Sequence, residues 1–369
     1  MSIRRALAVA GGVLLAGCAF AQETPPVSPT PTPSPEPQYF EEPEEHPKFS
    51  YRWDFLARYD NVQHLYGYEK ISRGRFELRP EIDFDPWSDF RIGVRGIFDY
   101  GTDKYAYPEQ DNYISRWASA DRWYVLWTPR TFTLRAGRFG MPLAASELFW
   151  DRDIQTPGIA ASYTTPDGAW TLWGAGFYGP QHYSDQTRIA AGQLQWQNGD
   201  PTRFQIQASF AFWWFQPREL FPAYFRENTN VVADGELQFT SKFNVGDLFL
   251  RLRFPIGTVP ILVSLDGFMN FSANNNQKLA YEAAVVAGQV GSPGWFRAFY
   301  AYQYIERNAT MGAYNTDDWW YHTWYEGHRV GVAWTFLPRL YLQASFSTQR
   351  RLDVHDWVNR VLVDLVKMF

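Results

Sequence analysis

The sequence predicts an all-β fold, a transmembrane antiparallel up-and-down barrel of about 16 strands. Three observations support it: apolar and charged residues alternate along most of the chain, short turns alternate with long loops, and aromatic residues are abundant. Aromatic residues make up 18% of the 369 residues and include 17 Trp, yet the mean hydropathy is only −0.38. This combination is typical of alternating strands whose aromatic side chains lie at two membrane interfaces.

The clearest alternation lies in residues 73–100. Phe76, Leu78 and Ile82 fall on one face of the chain, whereas Glu77 and Glu81 fall on the other. A side-chain period of two indicates β-strands, and the Asp-Pro-Trp-Ser-Asp run that interrupts it indicates a tight turn. Because one face is almost wholly apolar and the other is densely charged, we expect lipid outside and a watery lumen inside.

The amino-terminal residues predict export and a linker. Residues 1–21 have a basic start and an apolar segment too short to span as a helix, which is typical of a signal peptide. Ala19-Phe20-Ala21 is a cleavage site, but Leu15-Ala16-Gly17-Cys18 resembles a lipobox in which Cys18 would be lipidated, and both interpretations stay open. Residues 22–47 are Pro-rich and then acidic, which predicts an extended periplasmic linker. The barrel is predicted over residues 48–369.

The predicted strands are separated by turns and loops of alternating length. Long connections are predicted at 61–72, 101–118, 140–157, 179–187, 215–229, 307–326 and 350–356, with short turns between the others. Residues 231–254 are counted as one long or bent strand, interrupted near 244–246, because bacterial single-chain barrels have even strand numbers. The predicted strands are 49–60, 75–84, 90–99, 120–128, 131–139, 158–164, 169–178, 188–197, 202–214, 231–254, 259–271, 278–289, 294–306, 327–337, 339–349 and 357–369.

The carboxyl terminus carries an assembly signal. An alternating last strand that ends in Phe369 resembles the signal by which the barrel-assembly machinery recognises outer-membrane proteins. Lys367 departs from that pattern, because an apolar or aromatic residue is usual there, although a Lys near the interface can extend its amine to water.

Two segments resemble a bacterial outer-membrane porin family and, more weakly, the phosphate-selective porins. They are LWTPRTFTLRAGRFGMPLAASELFWDRDIQTPGIAASY at 126–163 and WFRAFYAYQYIERNATMGAYNTDDWW at 295–320, followed by EGHRVGVAW. The resemblance implies a β-barrel channel in the bacterial outer membrane that passes small hydrophilic solutes or ions, and a homotrimer. It supplies no catalytic residues and no cofactor.

The inward faces of the first five strands carry the candidate pore-lining residues. The conservative interpretation is that paired charges cover the wall of a polar lumen. The sharper hypothesis is that the third long loop folds into the pore, where Glu147, Asp151 and Asp153 face an arginine wall, form a constriction and set ion preference through a transverse field. The candidate lining residues are Arg52, Arg58, Arg75, Arg79, Arg91, Arg95, Arg122, Arg135, Glu77 and Glu81.

Other functions are less well supported by the composition. A formal charge of −5 gives no case for nucleic acid, and a single Cys excludes a disulfide framework. We expect no enzymatic activity, no metal and no cofactor. Two alternatives to a general pore stay open: a structural or adhesive barrel with a plugged lumen, and a selective channel for sugars or polyanions. The aromatic loop 314–326 is predicted to provide loop packing and an interfacial girdle or, less readily, to stack on sugar rings through Trp319, Trp320, Trp324 and Tyr325.

Overall fold

The computed structural model describes residues 49–65, 69–102, 118–179, 187–216, 230–234 and 236–368. Sixteen antiparallel strands form a closed barrel in which the first strand pairs with the last, which confirms the predicted fold class and strand number. Two further short strands, β10 and β11, form a separate sheet. The strands are β1 Phe49–Leu65, β2 Glu69–Trp87, β3 Phe90–Gly101, β4 Ala118–Trp127, β5 Phe132–Gly140, β6 Gln155–Thr164, β7 Trp170–Tyr178, β8 Arg188–Asp200, β9 Phe204–Gln216, β10 Val231–Asp234, β11 Glu236–Phe239, β12 Phe243–Ile256, β13 Val259–Asn270, β14 Leu279–Gly288, β15 Phe296–Ile305, β16 Tyr325–Leu337, β17 Leu340–Arg351 and β18 Val358–Lys367.

The two faces of each strand follow the alternation of the sequence. On β2, Ile82 is 58% exposed on the outer wall, whereas Glu77 and Glu81 are buried on the inner side. Exposed aromatic side chains lie near both ends of the outer wall, for example Trp87 at one end and Tyr100 at the other. An outer wall of this composition requires an apolar surrounding, because soluble monomers rarely expose so large a contiguous apolar surface.

One predicted loop, 61–72, is wrong. β1 continues to Leu65 and β2 begins at Glu69, so the connection is only three residues long. In the part of the hairpin that extends beyond the predicted strands, Asn61 is paired with Ser72 and Val62 is paired with Ile71. The Asn61 Nδ2 donates to Ser72 Oγ at 2.5 Å, so polar cross-strand bonds extend this hairpin where the sequence pattern turns hydrophilic.

The prediction of one strand over 231–254 is also wrong in its detail. β10 and β11 pair with each other, Val231 opposite Phe239, and only β12 crosses as a barrel strand. The Thr240 N–H donates to the Asn230 carbonyl oxygen at 2.7 Å, which extends the β10–β11 pairing by one residue, and β12 then runs unbroken through 244–246. A local hairpin therefore precedes a single crossing, which is why the even strand number still holds.

Several predictions fall on residues that lie outside the described part of the chain. They are the signal peptide and the lipobox at Cys18, the linker 22–47, most of the predicted long loops 101–118, 179–187 and 215–229, and the terminal Phe369. Lys367 is described, and its Nζ donates to the Pro338 carbonyl oxygen at 2.8 Å. The amine of Lys367 therefore reaches a turn at the end of the barrel where the short connections lie.

Pro80 interrupts one ladder without breaking the barrel. Its partner on β1 is Trp53, while the β2–β3 pairing passes from Leu78 with Phe98 to Glu81 with Arg95. The missing N–H of Pro80 therefore coincides with the gap in the β2–β3 ladder. Gly96 lies across this gap, where an added Cβ would contact the Pro80 ring at 3.6 Å.

The seam between β1 and β18 is closed by lumen-facing ion pairs as well as by the ladder. Arg58 Nε lies 2.8 Å from Asp364 Oδ1, and Arg360 Nε lies 2.9 Å from Asp60 Oδ1. Asp60 also accepts a bond from Arg73 Nε at 2.7 Å. Charges from the first two strands and the last strand therefore neutralise one another at the seam.

Substitution of two glycines, one in close contact with the neighbouring strand and one without such a contact, tests the packing between β6 and β7. A Cβ added at Gly158 on β6 would lie 2.3 Å from the Gly176 carbonyl oxygen, whereas one at Gly174 on β7 would meet nothing within 4 Å. We therefore expect Gly158→Ala to lower the free energy of unfolding by about 1–3 kcal/mol. Gly174→Ala is the matched control, since both changes remove the same backbone freedom from the unfolded chain.

Urea unfolding of the barrel in lipid vesicles, followed by Trp fluorescence, measures both variants. Equal stabilities for the two variants would contradict the described β6–β7 contact.

Candidate functional site: the charged lumen and its two inward loops

The third long loop, residues 141–154, folds into the barrel. Phe149 and Trp150 are buried and pack on Trp213 of β9, with ring centroids 4.9 Å and 6.0 Å away. The Ala144 N–H donates to Gln193 Oε1 at 2.9 Å, and Gln193 Nε2 donates back to the Ala144 carbonyl oxygen at 2.7 Å. Because Trp213 and Gln193 both point inward, the loop is anchored to the lumen wall of β8 and β9.

A second loop, residues 306–324, also folds inward and docks on the third loop. Trp150 and Tyr314 stack with centroids 4.9 Å apart and an interplanar angle of 3°. The Asp151 N–H donates to the Tyr314 carbonyl oxygen at 2.7 Å, and the Thr316 N–H donates to the Glu147 carbonyl oxygen at 3.1 Å. The two loops therefore form one body inside the barrel, which we call the inward loop pair.

The aromatic residues of loop 314–326 pack as the sequence predicts for a loop, but they do not form the predicted interfacial girdle. Trp319 and Trp320 of the second loop, and Tyr325 at the start of β16, are buried inside the barrel. The Trp320 N–H donates to Gln349 Oε1 of β17 at 2.6 Å. The apolar side chains thus form a core for the inward loop pair together with inward-facing aromatic groups of the wall, such as Trp213, Phe215 and Phe268.

Carboxylates of the inward loop pair lie against arginines of the wall. Asp153 Oδ1 accepts a bond from Arg79 Nη1 at 2.8 Å. Asp318 lies 2.6 Å from Arg329 Nη2 and 2.9 Å from Arg58 Nη2. The Arg79–Asp153 pair brings a candidate wall residue and a candidate loop residue together, whereas the sequence reasoning missed Asp318. The signal that could have identified Asp318 is the Asp317-Asp318 pair next to the aromatic residues of this loop.

The other carboxylates of the third loop are held within the inward loop pair. Asp151 Oδ2 accepts a bond from the Asp317 N–H at 3.2 Å, and Asp151 Oδ1 accepts one from the Asp153 N–H at 2.8 Å. Glu147 lies 3.2 Å from Arg152 and 3.9 Å from Arg329. Asp151 therefore shapes the loop, while Glu147 and Asp153 face cations.

The structure places the candidate lining residues of β1–β5 on the inner wall, and most of them in ion pairs. Arg75 pairs with Glu77, and Arg79 contacts both Glu77 and Asp153. Arg135 differs, because its guanidinium lies over the rings of Tyr124 and Phe139 at 5.8 Å and 5.6 Å. The remaining pairs are Arg52 with Glu81 at 2.8 Å, Arg58 with Asp364 at 2.8 Å, Arg91 with Asp85 at 2.7 Å, Arg95 with Asp121 at 2.5 Å and Arg122 with Glu81 at 3.3 Å.

The charges are distributed unevenly around the lumen. On β6 to β9 the inward positions are small, amide or aromatic residues, such as Ala160, Trp173, Gln195 and Ser209. The charged positions lie on β1 to β5 and on β12 to β18. A charged wall therefore faces an uncharged wall, and the inward loop pair lies between them.

The loop carboxylates are ionised more readily than usual. Burial would raise the pKa of Asp153, but Arg79, with Arg75 and Arg58 beyond it, lowers that pKa to about 2. Burial likewise opposes ionisation of Asp318, but Arg329 and Arg58 hold its pKa well below the ordinary range. Both side chains are therefore carboxylates throughout the neutral range.

Neither a metal site nor a spanning helix is found in the described part of the chain. Among those residues, no three His, Cys, Asp or Glu side chains are grouped so as to hold a metal ion. Within the same ranges, no helix is long and apolar enough to cross a membrane.

The chain matches no protein-family model and no curated protein. Among solved structures it is similar to Pseudomonas putida OprB at high pH, with 8% identity, a TM-score of 0.62, and coverage of 87% of this chain and 94% of that one. It is also similar to Salmonella typhi OmpF in complex with daunomycin (9%, 0.55, 87% and 97%). A third structure is an anion-selective porin from Comamonas acidovorans (13%, 0.53, 87% and 100%). At these identities the likeness shows a shared fold.

Acid should loosen the inward loop pair through Asp153. A carboxylate whose folded pKa is lowered contributes stability that is complete above its unfolded pKa of about 4 and is lost as the pH falls towards the folded value. We therefore expect the melting temperature of the wild type to fall more than that of Asp153→Asn between pH 5 and pH 2. Because Asp153 is partly exposed, the difference should correspond to about 1 kcal/mol or less.

Circular dichroism melts in detergent at several pH values measure this difference. Asp356→Asn is the control, because Asp356 is exposed in the connection between β17 and β18. Parallel acid profiles for the wild type and Asp153→Asn would contradict the proposed contribution of the Arg79 pair.

Proposed function

We propose that this chain is a porin of the bacterial outer membrane, through which small hydrophilic solutes or ions diffuse passively. The observation that carries the proposal is a closed sixteen-strand barrel with an apolar outer wall and a charged inner wall. In hydrocarbon, only a closed ladder satisfies every backbone amide, so this outer wall suits a membrane. The fold shared with OprB and OmpF supports the same proposal.

The inward loop pair would set the width and the field of the passage. It places Glu147, Asp153 and Asp318 next to Arg79 and Arg329, so solutes would pass charges of both signs. Fixed charges in a constriction select ions by sign, because they act in a confined and poorly screened space. Transport of this kind uses no cofactor and no covalent chemistry.

One observation favours a second candidate, a structural or adhesive barrel whose lumen is closed. The two loops bury Trp150, Trp319 and Trp320 inside the barrel, and that packing fills part of the lumen. The two candidates differ in one measurable property, since a closed barrel carries no current.

Single-channel recording tests the proposal directly. Refolded protein in a planar bilayer should give stable open steps, because a cavity of about 520 Å³ lies beside the inward loop pair. Heat-modifiable mobility on gels confirms folding in the same sample. A folded barrel that gives no steps would overturn the porin proposal and favour the closed barrel.

Ion selectivity tests the role of the third loop. Asp153→Asn removes a carboxylate that pairs with Arg79 and leaves the pair of Arg79 with Glu77 in place. We expect the reversal potential in a salt gradient to shift towards anions, with the permeability ratio changing about twofold or more. Asp167→Asn is the matched control, with the same charge change outside the lumen. An unchanged permeability ratio in Asp153→Asn would contradict the proposal that the third loop forms the constriction.

A further inference from the structure

The lumen cavity has an apolar strip on one side. Leu262 of β13 is paired with Val286 of β14, which is paired in turn with Phe299 of β15. One step along the same strands, Ala284 and Ala301 continue this surface. These side chains line the cavity and are half-buried, so a solute can reach them. A passage for ions alone needs no such strip, whereas an apolar solute group gains about 25 cal/mol for each Å² removed from water.

Two arginines flank the strip. Arg251 on β12 and Arg297 on β15 both line the cavity. Arg251 lies over the Phe249 ring at 5.0 Å, and its Nε is shielded from solvent without a hydrogen-bond partner. Arg297 lies over the Tyr341 ring at 5.7 Å and its Nη2 donates to the neutral Gln343 Oε1 at 2.5 Å, while its Nε is likewise shielded and without a partner. In the described part of the chain, neither guanidinium has a carboxylate within 4.0 Å.

The cavity carboxylates, by contrast, are mostly engaged elsewhere. Glu282 lies next to the strip, and Gln303 Nε2 donates to it. Asp54, on the far side, is the cross-strand neighbour of Arg79. The other engaged carboxylates are Glu147 with Arg152, Asp153 with Arg79, Asp318 with Arg329 and Asp364 with Arg58. Neither Asp54 nor Glu282 has a cation within 4.0 Å in the described part of the chain, but Glu282 is only 9% exposed and Asp54 lies on the opposite, β1 side of the cavity. The half-buried guanidinium groups are therefore the charges beside the strip that a solute reaches most readily.

We propose that this cavity is a passage site for organic monocarboxylates with an apolar body. The apolar body lies on Leu262, Val286 and Phe299, and the carboxylate is bound in turn by Arg251 and Arg297. A guanidinium binds a carboxylate by two parallel N–H···O bonds, which suits this chemistry better than a neutral sugar. This inference rests on the proposed function, because it requires an open passage.

A matched pair of anions tests the inference in the unmodified protein. Hexanoate and gluconate are both six-carbon monocarboxylates, but gluconate carries hydroxyl groups along its chain. In planar bilayers, with chloride on one side and the test anion on the other, reversal potentials give both permeabilities relative to chloride. We expect hexanoate to exceed gluconate at least threefold. Equal permeabilities, or higher gluconate permeability, would overturn the inference while leaving the porin proposal intact.

Two variants locate the effect. Val286→Thr changes the strip at nearly constant shape, and it should lower hexanoate permeability about threefold with little change in the chloride-to-potassium ratio. Arg251→Gln should lower the permeability of hexanoate and chloride together. Val285→Thr is the matched control, because the neighbouring residue of β14 faces the outer wall.

The outcomes separate the two proposals. A folded barrel without any current overturns the porin proposal and this inference together. If the channels open and neither Val286→Thr nor Val285→Thr changes the permeability of hexanoate relative to chloride, the inference alone is overturned. If Val286→Thr does not fold, the comparison of hexanoate with gluconate in the wild type still decides it.

Discussion

The structure depends on one constraint: inside a membrane, each backbone N–H and C=O must find a partner within the protein. Sixteen strands meet this constraint by closing the ladder from β1 to β18. Closure then gives every strand an outer and an inner face, so successive side chains point alternately towards the lipid and towards the lumen. Charged residues such as Glu77 and Arg95 are directed inward as a consequence, and they must neutralise one another there or be hydrated.

The two interpretations of the charged wall are complementary. Arg52, Arg58 and Arg95 are joined to carboxylates of the wall, which is the pattern expected of a structural lining. Arg79 and Arg329 instead receive carboxylates from the inward loop pair. Paired charges largely cancel at a distance, so in the proposed passage the charges of the inward loop pair act together with guanidinium groups, such as Arg251 and Arg297, that have no carboxylate within 4.0 Å in the described part of the chain.

The sequence predicts the barrel well because the information is local. A period of two in residues 75–83 places each side chain on its wall without any knowledge of the neighbouring strand. The inward loop pair was predicted only in part, since the stacking of Trp150 on Tyr314 joins residues more than 160 positions apart. The sequence did not predict that Arg251 and Arg297 lack a carboxylate partner. Whether an arginine forms an ion pair depends on which strands become its neighbours, and this is not a local property of the sequence.

The hairpin of β10 and β11 illustrates a further limit. Its strand-like residues run into β12 in the sequence, so periodicity alone cannot separate a local hairpin from the start of a crossing. The count of sixteen survived because the even-number rule acts on the whole barrel and is insensitive to where one strand begins.

The ion pairs at the seam between β1 and β18 form only when the two ends of the barrel come together. Arg58 with Asp364 and Asp60 with Arg360 join residues about 300 positions apart, and all four groups face inward. A nascent chain that has not yet delivered β18 leaves Arg58 and Asp60 without these partners and leaves the edge of β1 open. Arg58 with Asp318 and Asp60 with Arg73 can pair without β18, whereas the pairs with Asp364 and Arg360 form only when the ladder closes. The last step of barrel formation therefore completes the ladder and the seam charge cluster together, which makes closure more favourable than the addition of an edge strand alone.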